Sequence, residues 1–192
     1  MMPALRYRGF RWWAMADLVL GRREQASLVF EQMLREFPGD AYALASKAHL
    51  QAQGGDRTAA LLTMESLLAQ HGQVGAYWFN FGYLLEEAGD WPRAESAFRR
   101  ATELSPQLDR AWYGLGLVLI RLQRLDEAVA ALKRNTQLQP MSPYGWYQLA
   151  RVHVDRHEPD EARRIIRHLH RFEPKVAAQL VRETGLSVEL AG

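Results

Sequence analysis

Trp78, Trp112 and Trp146 stand 34 residues apart, and each opens a similar pentapeptide: WFNFG at 78–82, WYGLG at 112–116 and WYQLA at 146–150. The same period runs through the rest of the chain. Phe10, Leu44, Trp78, Trp112 and Trp146 share one register, and Ala14, Ala48, Gly82, Gly116 and Ala150 share another. Alanine recurs at Ala26, Ala60, Ala94, Ala128 and Ala162. A large apolar residue follows each of them four positions on, as Phe30, Met64, Phe98, Leu132 and Ile166. Pro38, Pro106, Pro140 and Pro174 keep the period, with Gly72 in the remaining slot. A fixed period of this length marks a repeat architecture, in which each unit buries its apolar face by stacking on its neighbours.

Within each period the apolar residues recur at helical spacing, and turn residues divide the period into two helices. Gly21, Gly54–Gly55 and Gly89 stand where a first helix stops, because glycine accepts the left-handed conformation of a helix terminus. Asp56, Asp90 and Asp126 stand near the start of the second helix, where a carboxylate suits unpaired N–H groups. Pro92 and Pro159 fit a first helical turn, and Pro106 and Pro140 close the second helix. Gly82 and Gly116 read as points of close helix approach. Glycine inside a helix costs about 1 kcal/mol relative to alanine, so packing must offset it. The tryptophans read as fillers of the space between neighbouring helices. Gly114 has no equivalent explanation in the pattern.

On these residues the chain resembles the tetratricopeptide repeat (TPR) family, over residues 7–176. Repeats fall at 7–40, 41–74, 75–108, 109–142 and 143–176. The third is fullest, with Trp78, Phe81, Gly82, Ala94, Phe98, Ala101 and Pro106. The first lacks Trp and Gly, and the second places Lys47 at the Leu position. The resemblance implies an all-α fold: a right-handed α-solenoid of five helical hairpins, making residues 1–192 a single domain. VAAQLVRETG reads as a C-terminal capping helix over about 176–185, with Ala177, Leu180, Val181 and Thr184 on one face.

Composition narrows function. The chain has 192 residues and a net charge of +2, too small an excess to argue for nucleic acid. It has no cysteine, which removes disulfide, thiolate and iron–sulfur chemistry and fits the cytoplasm while remaining compatible with the periplasm. The arginine-containing apolar start is interrupted by Asp17 and lacks a small-x-small cleavage site, so it does not read as a signal peptide. No stretch approaches the roughly 20 apolar residues of a membrane helix.

The resemblance also implies where a partner would bind. In this family the concave face is lined mainly by the first helix of each hairpin. Carried onto this sequence, it gives Arg8, Arg11, Met15, Leu18 and Val19 from the first repeat, Tyr42 and His49 from the second, and Phe79, Asn80 and Tyr83 from the third. Arg110, Tyr113, Leu117 and Arg121 come from the fourth, and Tyr144, Tyr147 and Arg151 from the fifth. Tyrosine and arginine are enriched at binding hot spots. The face therefore reads as a groove for a peptide, with an acidic group toward the last two repeats. The alternative is that the tyrosines pack between helices and the arginines are solvated. The carboxylate clamp of heat-shock-binding relatives does not carry over: Asn80 matches and Arg110 preserves charge, but Ala45, His49 and Gly114 do not match.

Catalytic and metal chemistry find little support. His153 and His157 have i, i+4 metal-ligand spacing, but HVDRH lacks the HExxH pattern, and packing is the preferred reading. RRIIRHLHR (163–171) reads as a solvated basic helix face, because nearby carboxylates dilute it. GLGLVL lacks the third glycine of a dinucleotide loop and follows no strand. No cofactor and no metal are expected. The expected function is a non-catalytic adaptor, scaffold or assembly factor for a protein or peptide. A secretion-type chaperone for an apolar client, and self-association through the N-terminal aromatics (Phe10, Trp12, Trp13), are the alternatives.

Overall fold

The computed structural model describes residues 2–188, which form eleven α-helices and no strand. They divide into two compact units, Met1–Gly89 and Asp90–Gly192.

The first unit holds α1 (Met2–Val19), α2 (Arg23–Glu36), α3 (Ala41–Gln53), α4 (Arg57–His71) and α5 (Gly75–Glu87), each packed on the next. Ala14, Ala26, Phe30, Met33 and Ala43 form one buried cluster, with Tyr7, Phe10 and Tyr42 packed around it. Asp40 and Asp56 start α3 and α4, accepting hydrogen bonds from the Ala43 and Ala59 N–H groups at 2.8 and 3.0 Å.

The second unit holds α6 (Trp91–Leu104), α7 (Asp109–Arg121), α8 (Leu125–Leu138), α9 (Pro143–Asp155), α10 (Pro159–His170) and α11 (Pro174–Thr184). Consecutive helices again pack together, and α11 also packs on α9. Ala177 and Leu180 of α11 are buried in the same cluster as Leu132, Leu149 and Ile166. Asp90 caps α6 through the Arg93 N–H at 3.3 Å. Asp126 lies inside the first turn of α8 rather than at its cap, which is Arg124.

The sequence period is visible in burial. Ala26, Ala60, Ala94, Ala128 and Ala162 are all completely buried, and Phe30, Met64, Phe98, Leu132 and Ile166 are at most 2% exposed. A side chain larger than methyl at the alanine positions would hold the helices apart, and a smaller residue at the others would leave a cavity. The tryptophans differ from the expectation of simple space-filling. Trp78, Trp112 and Trp146 are only half-buried. Each indole N–H donates to the carbonyl six residues back: Gly72 at 2.8 Å, Pro106 at 2.9 Å and Pro140 at 2.9 Å. The ring covers apolar surface while its polar edge satisfies a carbonyl that the preceding turn leaves unpaired.

Candidate interaction faces

In the first unit, the side chains expected to meet a partner lie on α1, α3 and α5. Arg11 of α1 places its guanidinium 4.5 Å from the centre of the Tyr42 ring and 6.0 Å from that of Tyr7, within cation–π range. Tyr42 also meets Phe30 edge to face at 5.7 Å. Arg8, Arg11 and Met15 are brought together with Tyr7, Trp12 and Phe37 around an open cavity of about 870 Å³. Burial, then Asp40, raises the Tyr7 hydroxyl above its ordinary pKa, keeping it a donor.

On α3, His49 is exposed and its ring nitrogen accepts from the Gln53 side-chain amide at 2.9 Å. On α5, Phe79 is half-buried, Asn80 is exposed, and Tyr83 remains 49% exposed. The Tyr83 hydroxyl donates to Glu87 at 2.9 Å. That bond, ahead of burial, raises its pKa. The bond is one helical turn long and holds the ring along the helix surface.

In the second unit, the expected residues lie on α7 and α9. Arg110 is exposed, while Tyr113 packs against the buried cluster. Leu117 is half-buried, and Arg121 sets its guanidinium 5.8 Å from the centre of the Trp91 ring. Tyr144 is 70% exposed. Tyr147 packs on the same cluster as Tyr113, and its hydroxyl donates to Glu183 of α11 at 2.5 Å. Arg151 stands 5.9 Å over the Tyr147 ring. The Tyr147 hydrogen bond, ahead of that from Gln179, holds the Glu183 carboxyl below its ordinary pKa. The tyrosines thus fall into two sets. Tyr42, Tyr113 and Tyr147 pack against cores, and Tyr83 and Tyr144 project.

Two features escaped the sequence reading. The first is Glu183, a carboxylate of the last helix placed beside Arg151; nothing in its local sequence signals this. The second is a cavity of about 470 Å³ among α8, α9 and α10, lined by Lys133, Trp146, Arg164, Arg167, His168 and Arg171, among others. His168 lies against Trp146 with ring centres 4.4 Å apart. RRIIRHLHR carried the signal, since Arg164, Arg167, His168 and Arg171 recur at helical spacing. His153 is buried, and its Nδ1 donates to the Glu158 carboxylate at 2.6 Å. It is therefore engaged by a carboxylate at the start of the next helix.

Among the described residues, no helix is long and apolar enough to cross a membrane. The tetratricopeptide repeat family model matches residues 45–109 and 79–143. Comparison with curated proteins finds no match. Solved structures are similar throughout the chain. MamA from Desulfovibrio magneticus is 19% identical, with a TM-score of 0.77 over 92% of this chain and 96% of that one. A tetratricopeptide repeat protein from Parabacteroides merdae is 21% identical, with a TM-score of 0.81 over 93% and 73%. YrrB, a TPR protein with an unusual peptide-binding site, is 18% identical, with a TM-score of 0.76 over 88% of each chain. At these identities the likeness shows the fold: an all-α solenoid of paired helices.

Proposed function

The chain belongs to the tetratricopeptide repeat family, and on that premise we propose that it is a non-catalytic interaction scaffold holding peptide or protein segments on α3 and α5 of the first unit and on α7 and α9 of the second. The observation that carries this reading is the exposure of Tyr83 and Tyr144, at 49% and 70%, on α5 and α9. A tyrosine ring left open to water offers contact area at low entropic cost, with a hydroxyl to orient a partner. The peptide-binding site of YrrB, a protein of similar fold, supports a peptide as the class of ligand. Tyr42, Tyr113 and Tyr147, packed against their cores, serve as the rigid floor on which exposed side chains select.

Arg121 and Arg151 are exposed on α7 and α9. They favour a segment carrying a carboxylate, and such charge pairs weaken as salt screens them. An apolar client held as a chaperone holds it would instead bind with little dependence on salt.

The test is affinity capture from a lysate of the source cells with wild type and a Tyr83→Ala, Tyr144→Ala variant. Both side chains lie outside the cores, so the variant should keep its helical circular dichroism. A partner captured by wild type and lost by the variant supports the reading. A partner held equally by both contradicts it.

A further inference from the structure

One face of α1 is apolar and exposed. Leu5, Trp12 and Val19 recur every seven residues and so form one stripe along the helix. Trp12 and Val19 are 79% and 82% exposed. Trp13 and Leu20 widen the stripe, at 71% and 62% exposure. The opposite face, with Ala14 and Phe10, packs on α2. The helix is thus apolar on both faces, an arrangement expected of a helix whose outer face meets something other than water.

The charges around this stripe identify the occupant. Residues 4–24 carry five arginines (Arg6, Arg8, Arg11, Arg22 and Arg23) against two carboxylates (Asp17 and Glu24). Helical geometry puts Arg8 along one border of the stripe and Arg6, which also pairs with Glu36 at 3.4 Å, along the other, while Arg11 is turned onto the Tyr42 ring. Arg8 and Arg23 make no ion pair among the described residues, and Arg22 reaches Asp17 only at 4.0 Å. A second copy docking through this face would bring arginines against arginines. An anionic bilayer surface complements both components: tryptophans and leucine enter the headgroup boundary while Arg8 and Arg23 reach phosphates.

We propose that α1 is a peripheral membrane-docking helix that lies on anionic lipid through Leu5, Trp12, Trp13 and Val19. It does not span the bilayer; its inner face remains packed on α2. This proposal uses neither Tyr83 nor Tyr144, so either assignment can fail without the other.

The test is sedimentation of the full chain with phosphatidylcholine vesicles, with and without phosphatidylglycerol, alongside tryptophan fluorescence. Wild type should sediment with the anionic vesicles and show a blue-shifted emission, and binding should weaken with salt. Trp12→Ser with Trp13→Ser should reduce the partition at least about tenfold and abolish the shift while leaving circular dichroism unchanged. Arg8→Gln with Arg23→Gln, substitutions remote from the core, should lower binding to anionic vesicles alone. Absence of wild-type binding, or equal binding by the tryptophan variant, overturns the proposal. So does a concentration-dependent mass in sedimentation equilibrium that the tryptophan variant abolishes without any vesicle binding, which would assign the face to a second copy.

Discussion

Gly114 of α7 lies so close to Phe98 of α6 that an added Cβ would stand 2.7 Å from two carbons of the Phe98 ring. Phe98 is completely buried and cannot swing away. The close approach explains a glycine that the repeat pattern left unexplained. Gly116 is similarly tight against Leu132, with 2.7 Å between its added Cβ and the leucine Cγ. Gly114→Ala should therefore destabilise the protein by about 1–3 kcal/mol through overpacking, although alanine is the better helix former by about 1 kcal/mol. Urea denaturation measures this. A gain in stability would show that the α6–α7 contact yields.

Five positions 34 residues apart adopt positive φ: Gly21 at 72°, Gly55 at 86°, Gly89 at 78°, Gln123 at 60° and His157 at 61°. Three are glycine and two carry a Cβ that the left-handed region disfavours. Gln123→Gly and His157→Gly should each stabilise the fold by up to about 1 kcal/mol, because the relief of strain exceeds the extra chain entropy that glycine brings. Thermal unfolding of each variant checks this, and a lowered midpoint for both would contradict it.

These two cases mark what the sequence carried. The period located the helices, the buried alanines and the glycine stops at 21, 55 and 89, because those depend on residue type at fixed spacing. It gave no reason for Gly114, whose cause is a ring on a neighbouring helix. It predicted left-handed turns only where glycine was present, so the positive φ of Gln123 and of the turn residue His157 was not foreseen. The tryptophan N–H bonds to carbonyls six residues back were equally invisible, since a carbonyl partner leaves no trace in residue identity. Among the interaction residues, the family register named Tyr42, Tyr83, Tyr113, Tyr144 and Tyr147 alike. Which of them pack and which project depends on contacts such as Phe30 on Tyr42 and Glu183 on Tyr147, which no single repeat contains.

Glu158 accepts from His153 Nδ1 at 2.6 Å and from Arg156 at 2.9 Å. The His153 bond, followed by the charge of Arg156, lowers its pKa below the ordinary 4.5. A depressed carboxylate contributes stability above its unfolded value and loses it as pH falls through its folded value. Glu158→Gln should therefore flatten the acid limb of the stability curve below about pH 4.5 and change its slope little near neutrality. Urea midpoints against pH test this; parallel curves for the two proteins would rule it out.

Glu183 places a negative charge beside Arg151, where an incoming acidic group would compete with it. Glu183→Gln should strengthen binding of an acidic segment by at most about fivefold, the worth of one exposed charge pair, and the gain should shrink at high salt. Calorimetric titration with the captured partner's segment at two ionic strengths measures this. Weaker binding by the variant would mean that Glu183 contacts the partner itself.

The most direct measurement of the central claim is amide hydrogen exchange on the full chain with and without its captured partner. The account predicts new protection on α3, α5, α7 and α9, with Tyr83 and Tyr144 inside the protected segments. Protection confined to the even-numbered helices α4, α6, α8 and α10 would contradict it and move the interaction to the opposite helices of the hairpins.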